Sequence, residues 1–251
     1  MVTKAKKPSE IKAIREAGKM LSSTLALLVS NIEVGMTTKD LAHMAAQELK
    51  SLGGIPSFLG YQGFPDVLCV SVNDEVVHGI PGKRVINDGD IVGMDFGVTY
   101  DGMIADAARS VIVGRPKQRR HIELVERTEQ ALTAGISVVR NGVRTGDIGH
   151  AVQEALEQYR YGIVRDLVGH GVGHDLHEEP NIPNYGRANT GPWLAKNMTI
   201  AIEPMVTLGS ERVKVASDGW TILTADGSWS AHFEHTVLIT DDGAEILTAY
   251  S

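Results

Sequence analysis

Cysteine is almost absent from this chain of 251 residues, since Cys69 is the only one. No disulfide can form within the chain, so we expect a protein of a reducing compartment, the cytoplasm. Long apolar runs are missing as well. No stretch approaches the roughly 18 consecutive apolar residues of a membrane span, and the first residues contain no apolar signal-peptide core. We therefore expect neither a membrane segment nor a secretion signal.

Basic residues are the minority among the charges. Lys and Arg number 24 against 31 Asp and Glu, which gives a net charge of −7. Two basic clusters stand out, Lys4, Lys6 and Lys7 near the start and Arg115 to Arg120 midway, and both are typical of solvated ends or linkers. The excess of acidic residues argues against nucleic-acid binding. With 43% hydrophobic and 22% charged residues, the chain has the composition of one globular domain, residues 1–251.

The sequence contains several acidic residues in apolar surroundings. Four carboxylates and one imidazole lie in strand-like, glycine-punctuated or apolar segments: Asp95, Asp106, His170, Glu203 and Glu234. Desolvating one carboxylate costs free energy, and gathering four adds repulsion that only counter-ions offset. Two divalent cations would cancel four negative charges. The sequence therefore predicts a dinuclear, oxygen-rich metal site.

The chain also matches itself at a shift of 107 or 108 residues. Residues 35–43 resemble 142–150, and residues 90–99 resemble 198–207. Each half therefore delivers an acid from the middle of an equivalent strand, Asp95 in the first and Glu203 in the second. We interpret the chain as two half-repeats, about 9–113 and about 117–240. The alternative is a chance similarity between two amphipathic patterns.

Both halves begin with helical patterns and continue with strands. The first helix begins at Pro8, and shorter helices are predicted from Thr38 to about Leu52 and from Thr145 to about Tyr159, with the two threonine segments as caps. Gly35 and Gly142 are expected to end the longer helices. Helices followed by antiparallel strands, twice over, indicate an α+β fold.

A hairpin explains how two of the acids can meet. Asp101-Gly102 predicts a tight turn between strands 91–99 and 105–113. Counted outward from this turn, Asp95 and Asp106 become diagonal neighbours on one face of the ribbon, about 7 to 8 Å apart. Two carboxylates at that reach can share a cation.

The segment from Gly169 to Pro180 contains three histidines. Three glycines within residues 169–173 disfavour a helix, at about 1 kcal/mol each relative to alanine. We expect an extended backbone in which His170 and His174 share a face, while His177 points into a cleft. His78 ends an apolar strand at a turn, a position where polar side chains often line a pocket.

Several segments run in the order found in one known family: 71–81, the hairpin of Asp95 and Asp106, 169–173, 177–180, 202–205 and 233–236. In them the chain resembles the type I methionine aminopeptidases in their short bacterial form, members of the pita-bread metallopeptidase family. The resemblance covers residues 9 to 240. It implies a pita-bread fold, in which two halves related by a pseudo-twofold axis surround a central curved β-sheet.

The implied activity is removal of the initiator methionine from peptides and nascent proteins, with a metal-bridged water as nucleophile. Asp95 would chelate one metal, Asp106 and Glu234 would bridge both, and His170 and Glu203 would complete the shell of the other. One imidazole with four carboxylates suits Co, Mn or Fe, and Zn is also compatible. The identity of the two divalent metal ions stays open.

The resemblance also implies the residues around the substrate. His78 would contact the scissile amide nitrogen and His177 its carbonyl oxygen, while Glu203 would act as the base. The methionine pocket would consist of Phe58, Tyr61, Phe64, Cys69 and Trp220. Two positions depart from the family pattern, Ala107 where Thr is common and Leu176 where an aromatic residue is frequent, and they leave the outline of the pocket open. Peptide and nascent-chain N-termini are the implied partners, with a transient ribosome association, and we expect a monomer.

Three other functions compete with this interpretation. A proline-specific aminopeptidase or dipeptidase could use the same fold, but such relatives usually carry an additional N-terminal domain. A metal-free binding protein on this scaffold would have lost ligands, and all five are present here. A dinuclear phosphoesterase would need Arg or Lys near the metals, and none of the motifs supplies one.

Overall fold

A computed structural model describes residues 3–250 of the chain. Met1, Val2 and Ser251, which belong to the predicted domain 1–251, lie outside the described residues. The helices are α1 (Pro8–Asn31), α2 (Thr38–Leu52), α3 (Arg119–Ser137) and α4 (Thr145–Leu156). The strands are β1 (Ile55–Pro56), β2 (Cys69–Val72), β3 (Glu75–Val77), β4 (Ile91–Tyr100), β5 (Met103–Ile112), β6 (Gly162–Ile163), β7 (Gly169–Gly171), β8 (Glu178–Ile182), β9 (Thr199–Ile202), β10 (Met205–Thr207), β11 (Val213–Val215), β12 (Ile222–Thr224), β13 (Ser230–His232), β14 (Glu234–Ile239) and β15 (Ala244–Ile246). Antiparallel strands and separate helices confirm the α+β class.

One nine-stranded sheet forms the centre of the fold. Its order is β1-β4-β5-β14-β9-β7-β8, with β2 paired to β4 and β15 paired to β14. The β4–β5 hairpin has the predicted register, since Asp95 faces Ala108 and Gly97 faces Asp106. Its turn residue Asp101 has a φ of 47°, the left-handed conformation that a two-residue hairpin turn requires.

Helices cover one face of this sheet. Successive strand residues point to opposite faces, and Phe96, Ala105 and Ala107 pack into the core beneath α1 and α2. Asp95 and Asp106 therefore point to the other face. Ala107 belongs to the helix-side core and not to the pocket, so its departure from the family pattern does not alter the outline of the pocket directly.

The second pair of helices repeats this packing. Leu124 and Leu132 of α3 and Ile148 of α4 share a core with Ile200 and Ile202 of β9. Burying one such side chain contributes about 1.5–3 kcal/mol. Both helix pairs thus lie on the sheet through apolar stripes and leave its opposite face free for polar groups.

The same pattern of backbone hydrogen bonds occurs within each of the two halves. In each half, the chain segment that leads into α2 or α4, including the first helical residue, bonds to an extended segment about 50 residues later. The matching bonds are Gly35 N to Ile86 O with Gly142 N to Leu194 O, and Thr38 N to Arg84 O with Thr145 N to Pro192 O. Donors and acceptors differ in number by 107 or 108, the shift of the sequence match. These matching bonds support our proposal that the chain consists of two half-repeats.

The starts of α2 and α4 at Thr38 and Thr145 agree with the prediction, but the N-cap positions differ from it by one residue. Thr37, not Thr38, is the N-cap of α2, and its side chain accepts a hydrogen bond from Asp40 N. Thr145 is likewise the first helical residue after the N-cap Arg144. Each predicted threonine cap is therefore a residue of the helix itself.

The helix ends also differ in detail. Helix α4 ends at Leu156, and a 3-10 turn over Glu157–Tyr159 follows it, so the predicted end near Tyr159 includes a change of helix type. Helix α1 ends at Asn31, with Ile32 as C-cap. Gly35 lies farther on, in the turn before α2, where its φ of 95° favours glycine.

The N-terminal cluster of lysines is only partly solvated. Lys4 and Lys7 are exposed, but Lys6 is 2% exposed. Its Nζ lies 2.8 Å from Glu178 Oε2 and 3.1 Å from Thr3 Oγ1. The expectation that the cluster is a solvated end is wrong for Lys6, because the segment before α1 packs against β8. Across residues 3–250, no helix combines the length and the apolar character needed to cross a membrane.

Candidate metal centre

Strand register places the predicted acids on one face of the central sheet. Cys69 of β2 faces Asp95, Asp95 faces Ala108, and Ala108 faces Glu234 of β14. Asp106 is two residues from Ala108 on β5 and so shares its face. These side chains form a compact group because the small methyl of Ala108 leaves room between the acids.

The remaining ligands come from the second half of the chain. His170 of β7 faces Ala201 of β9, and Ala201 faces Thr236 of β14. Thr236 shares the face of Glu234, so His170 points to the same side of the sheet. Glu203 is two residues past Ala201, directly after the end of β9. Both halves thus supply groups to one centre.

A cleft enclosing about 630 Å³ of empty space, part of it open to solvent, lies over this face. Its lining includes all twelve residues predicted for the site. They are Phe58, Tyr61, Phe64, Cys69, His78, Asp95, Asp106, His170, His177, Glu203, Trp220 and Glu234. Gln62 and Leu176 also line the cleft, so Leu176 does contribute to the outline of the pocket.

The tightest part of the group consists of three residues. Asp106, His170 and Glu234 each offer one ligand atom, and these atoms lie within 4.8 Å of one another. Glu203 Oε1 is 3.4 Å from His170 Nε2. Asp95 lies beside them because it faces Ala108 on β5, and Ala108 in turn faces Glu234. The five predicted ligands therefore surround one end of the cleft.

Burial dominates the acid–base properties of the carboxyl groups. It raises the pKa of Asp106 to about 7. It also raises the pKa of Asp95, Glu203 and Glu234 well above their usual range, and repulsion from neighbouring carboxylates adds to this shift. Without positive charge nearby, these groups resist ionisation together.

Burial has the opposite effect on the histidines of the cleft. It lowers the pKa of His170 to about 3 and that of His78 to about 4, with a further contribution from His177 in both cases. The pKa of His177 is lowered by burial as well. The three rings are therefore neutral at pH 7. Since His170 is neutral, its 3.4 Å contact with Glu203 is not an ion pair.

The chemistry of these atoms fits divalent cations. The buried atoms Asp95 Oδ1, Asp106 Oδ1 and Glu234 Oε1 have no hydrogen-bond partner in the part of the chain that the structure describes. His170 Nδ1 lies 2.9 Å from Gly171 O. A carbonyl only accepts, so Nδ1 carries the proton and Nε2 keeps a free lone pair. Unpaired carboxylate oxygens and one neutral imidazole form a donor set that suits divalent transition metals.

The other end of the cleft is apolar. Phe64 packs edge-on against Trp220, with ring centroids 5.2 Å apart, and against Phe58, with centroids 6.4 Å apart. The buried thiol of Cys69 joins this cluster together with Leu176. Aromatic rings beside a soft thiol make this end of the cleft an apolar pocket that can contact a sulfur-containing side chain.

Sequence reasoning missed two polar groups near the acids and a third elsewhere in the lining of the cleft. His232 Nε2 lies 3.7 Å from Glu203 Oε2. Thr236 Oγ1 accepts a hydrogen bond from Asp106 N at 2.9 Å and donates one to Asp106 O at 2.8 Å. Gln62 lines the cleft. The sequence could have indicated His232 and Thr236, because each lies two residues from Glu234. In an extended strand such residues point to the same face as Glu234.

One expectation about the histidines fails. His174 does not share the site of His170, because the chain bends at Gly173, whose φ is 146°. The His174 ring contacts Glu10 Oε1 at 3.2 Å and Glu178 Oε1 at 3.6 Å, outside the cleft. The extended conformation at Gly169–Gly171 is confirmed. A Cβ on Gly169 would lie 2.3 Å from Ala201 O, so the glycine permits the close strand approach.

Comparisons with known proteins agree with this geometry. Residues 12–241 match the family described as Metallopeptidase family M24. The methionine aminopeptidase of Clostridium acetobutylicum is 45% identical over 97% of this chain and 97% of its own length. Methionine aminopeptidase 1 of Bacillus subtilis is 46% identical over 97% and 98%. The crystal structure of a methionine aminopeptidase from Thermotoga maritima superposes with a TM-score of 0.96, at 48% identity, and covers 98% of this chain and 99% of that one.

A more distant similarity concerns the fold alone. The prolidase of Pyrococcus furiosus has a TM-score of 0.79 at 24% identity, and the match covers 98% of this chain but 66% of the prolidase. This confirms the predicted pita-bread fold. The family match spans most of the sequence, and the two bacterial relatives match almost end to end. The chain therefore belongs to metallopeptidase family M24.

Proposed function

We propose that this protein is a dinuclear metal-dependent aminopeptidase that removes the N-terminal methionine from peptides and nascent proteins. The observation that carries the proposal is one cleft with two ends, a carboxylate–imidazole cluster and an aromatic pocket with a thiol. A metallopeptidase that cuts beside an apolar N-terminal residue needs both. The names of the bacterial relatives support methionine as that residue.

The five clustered residues would hold two divalent cations. Asp95 would chelate one ion, Asp106 and Glu234 would contact both, and His170 and Glu203 would complete the coordination of the other ion. Such cations, when bound, supply Lewis acidity that polarises a peptide carbonyl and acidifies a water molecule. The oxygen-rich donor set supports Mn, Fe or Co, with Zn also compatible.

Glu203 is the proposed general base. Its pKa is raised by burial and by the charge of Asp106, and a carboxyl group whose pKa is raised is a stronger base, better suited to accepting and returning a proton. It would take the proton of the attacking water and deliver it to the leaving amine as the C–N bond breaks. His232 Nε2, 3.7 Å from Glu203 Oε2, lies close enough to influence this carboxyl group.

The two cleft histidines would orient the scissile amide. His78 would contact the amide nitrogen, and His177 would contact the carbonyl oxygen as it gains negative charge. His78 has a φ of 59°, an uncommon conformation for a residue other than glycine. Both rings are neutral at pH 7 because burial lowers their pKa values, so each can donate through one nitrogen.

The methionine side chain would occupy the apolar end, among Phe58, Tyr61, Phe64, Cys69 and Trp220. Contacts between a thioether sulfur and aromatic rings contribute about 0.3–1.5 kcal/mol. We further propose that the protein acts as a monomer in the cytoplasm on peptide and nascent-chain N-termini, in transient association with the ribosome.

A peptide assay tests the proposal. The purified protein, loaded with Mn, Fe or Co under anaerobic conditions, should release free methionine from Met-Ala-Ser, and a chelator should abolish the release. Dipeptides with proline in second position and phosphate esters serve as competing substrates. Preferred cleavage of the proline dipeptides would replace this proposal by a prolidase-like function, and activity that resists the chelator would contradict the metal-dependent mechanism.

A further inference from the structure

Two neighbouring histidines of the cleft, His170 and His177, each form a hydrogen bond through Nδ1. One Nδ1 acts as donor and the other as acceptor. The rings of His170 and His177 lie with centroids 4.3 Å apart. His170 Nδ1 lies 2.9 Å from the carbonyl oxygen of Gly171, whereas His177 Nδ1 lies 2.8 Å from the phenol oxygen of Tyr61. The partner of His170 can only accept a hydrogen bond. The partner of His177 can donate one.

The Tyr61–His177 bond has a preferred direction. Between a neutral phenol and a neutral imidazole, the phenol is the stronger acid and the imidazole nitrogen the stronger base. The bond is therefore O–H···N, with Tyr61 as donor and His177 Nδ1 as acceptor. A neutral imidazole carries one proton, so the proton of His177 lies on Nε2. Among residues 3–250, Nε2 of His177 has no hydrogen-bond partner, which leaves it free for a substrate.

The loop that carries Tyr61 is held in place by its own backbone. Gly60 N donates to Phe64 O at 2.9 Å, and Tyr61 N donates to Phe58 O at 2.9 Å. Gly60 and Gly63 have φ values of 83° and 90°, a conformation that favours glycine. These bonds hold the backbone of the loop at the position from which the phenol of Tyr61 reaches His177.

We propose that Tyr61 is a positioning residue that holds His177 in the Nε2–H tautomer, so that the ring presents a hydrogen-bond donor to the substrate carbonyl oxygen. This inference rests on the proposed function, in which His177 contacts that oxygen. A preorganised donor acts most strongly where negative charge develops in the transition state. Tyr61 thereby gains a second role besides lining the methionine pocket.

The test compares the wild type with Tyr61→Phe, which keeps the ring in the pocket and removes only the hydroxyl group. Long-range ¹⁵N–¹H correlation spectra of the metal-free proteins report the tautomer, and His177→Gln assigns the His177 signal. In the wild type we expect Nε2–H for His177 and Nδ1–H for His170, the internal control. In Tyr61→Phe we expect the Nδ1–H form of His177 to appear while His170 is unchanged.

Kinetics on Met-Ala-Ser provide the second measurement. Removing the outer hydrogen-bond partner of a metal-ligating histidine typically costs 10–100-fold in activity. For His177, which would contact substrate rather than metal, we expect an effect at the lower end, a fall in kcat of about 10-fold with KM unchanged. Tyr100→Phe is the matched control, because Tyr100 is 37% exposed at the end of β4 and should change neither measurement.

Several results would overturn the inference. These are an Nδ1–H tautomer of His177 in the wild type, an unchanged His177 spectrum in Tyr61→Phe, or an unchanged kcat in that variant. A wild type that released no methionine would instead contradict the proposed function, and the spectra would still decide the tautomer.

Discussion

Lys6 Nζ lies 2.8 Å from Glu178 Oε2, and the two side chains are 0% and 1% exposed. The other carboxylate oxygen of Glu178 accepts hydrogen bonds from His174 N at 2.7 Å and Asp175 N at 3.2 Å. Glu178 follows His177 directly in the sequence. The segment before α1 is therefore tied, through one buried ion pair, to the loop that brings His177 into the cleft.

Replacing Lys6 should destabilise the protein strongly. Lys6→Met leaves the Glu178 carboxylate buried without a counter-charge, and such a change costs about 3–5 kcal/mol. Denaturant unfolding should give a much lower midpoint. Lys4→Met is the control, since Lys4 is exposed and surface substitutions usually change stability by less than about 0.5 kcal/mol.

The double variant Lys6→Met/Glu178→Gln separates charge from packing. It should be more stable than the sum of the two single changes predicts, because it leaves no unpaired charge. Additive losses, or a midpoint of Lys6→Met equal to that of Lys4→Met, would mean that the ion pair does not hold this segment.

The substitution Asp106→Asn should stabilise the metal-free protein while it abolishes activity. Burial raises the pKa of Asp106 to about 7, so at pH 8 the folded protein must hold this carboxylate ionised in a buried position. A neutral isostere removes that cost, and we expect roughly 1–3 kcal/mol of added stability in the presence of chelator. Thermal unfolding at pH 8 measures it.

Metal titration completes this experiment. Added Mn²⁺ should raise the Tm of the wild type and have a much smaller effect on Asp106→Asn, because a ligand stabilises the state that binds it. Asp242→Asn, at an exposed position, is the charge-matched control and should behave as the wild type. A metal-free Asp106→Asn protein less stable than the wild type would argue against a free-energy cost of burying the ionised Asp106.

Local patterns were sufficient to predict how the hairpin brings two acids together. The Asp101-Gly102 turn fixes the register, and the strand period of two then determines that Asp95 and Asp106 share a face. Glu234 joins these two acids only because β5 pairs with β14. In this pairing Ala108 faces Glu234, which lies about 126 residues later in the chain. Local periodicity contains no information on that pairing, and only the family resemblance implied that Glu234 joins the two acids.

Side-chain partners from distant segments were beyond sequence reasoning. Nothing in a lysine near the start of the chain indicates that it lies buried against Glu178. The hydrogen bond between Tyr61 and His177 joins a glycine-rich loop to a segment 116 residues later. The family resemblance implied that Tyr61 lines a pocket, but only the folded chain places its hydroxyl group beside an imidazole.

The aromatic end of the cleft should determine substrate affinity more than turnover. Trp220→Leu removes one ring that packs against Phe64, and the loss of a sulfur–aromatic contact of about 0.3–1.5 kcal/mol should raise KM roughly 2- to 10-fold with kcat nearly unchanged. Steady-state kinetics on Met-Ala-Ser measure this. Trp193→Leu, at a tryptophan that is 62% exposed, should leave both constants as they are; an equal rise in KM would point to a general loss of folding.

His235 should make the folded state sensitive to acid. Its ring packs against Tyr250, and Nδ1 lies 3.0 Å from Thr248 Oγ1. Burial, with the nearby charge of Arg109, lowers its pKa from 6.5 to about 4. The unfolded chain therefore binds a proton at higher pH than the folded chain does, so stability is complete above about pH 6.5 and falls as the pH drops towards 4.

Urea unfolding of the wild type and His235→Gln, both in chelator, isolates this contribution because the carboxyl groups of the cluster titrate in both proteins. The stability difference between them should change by roughly 3 kcal/mol between pH 7 and pH 4, with the variant relatively more stable at low pH. A difference that stays constant across this range would mean that His235 is protonated in the folded state as readily as in the unfolded chain, and hence that its packing against Tyr250 does not exclude the charged ring.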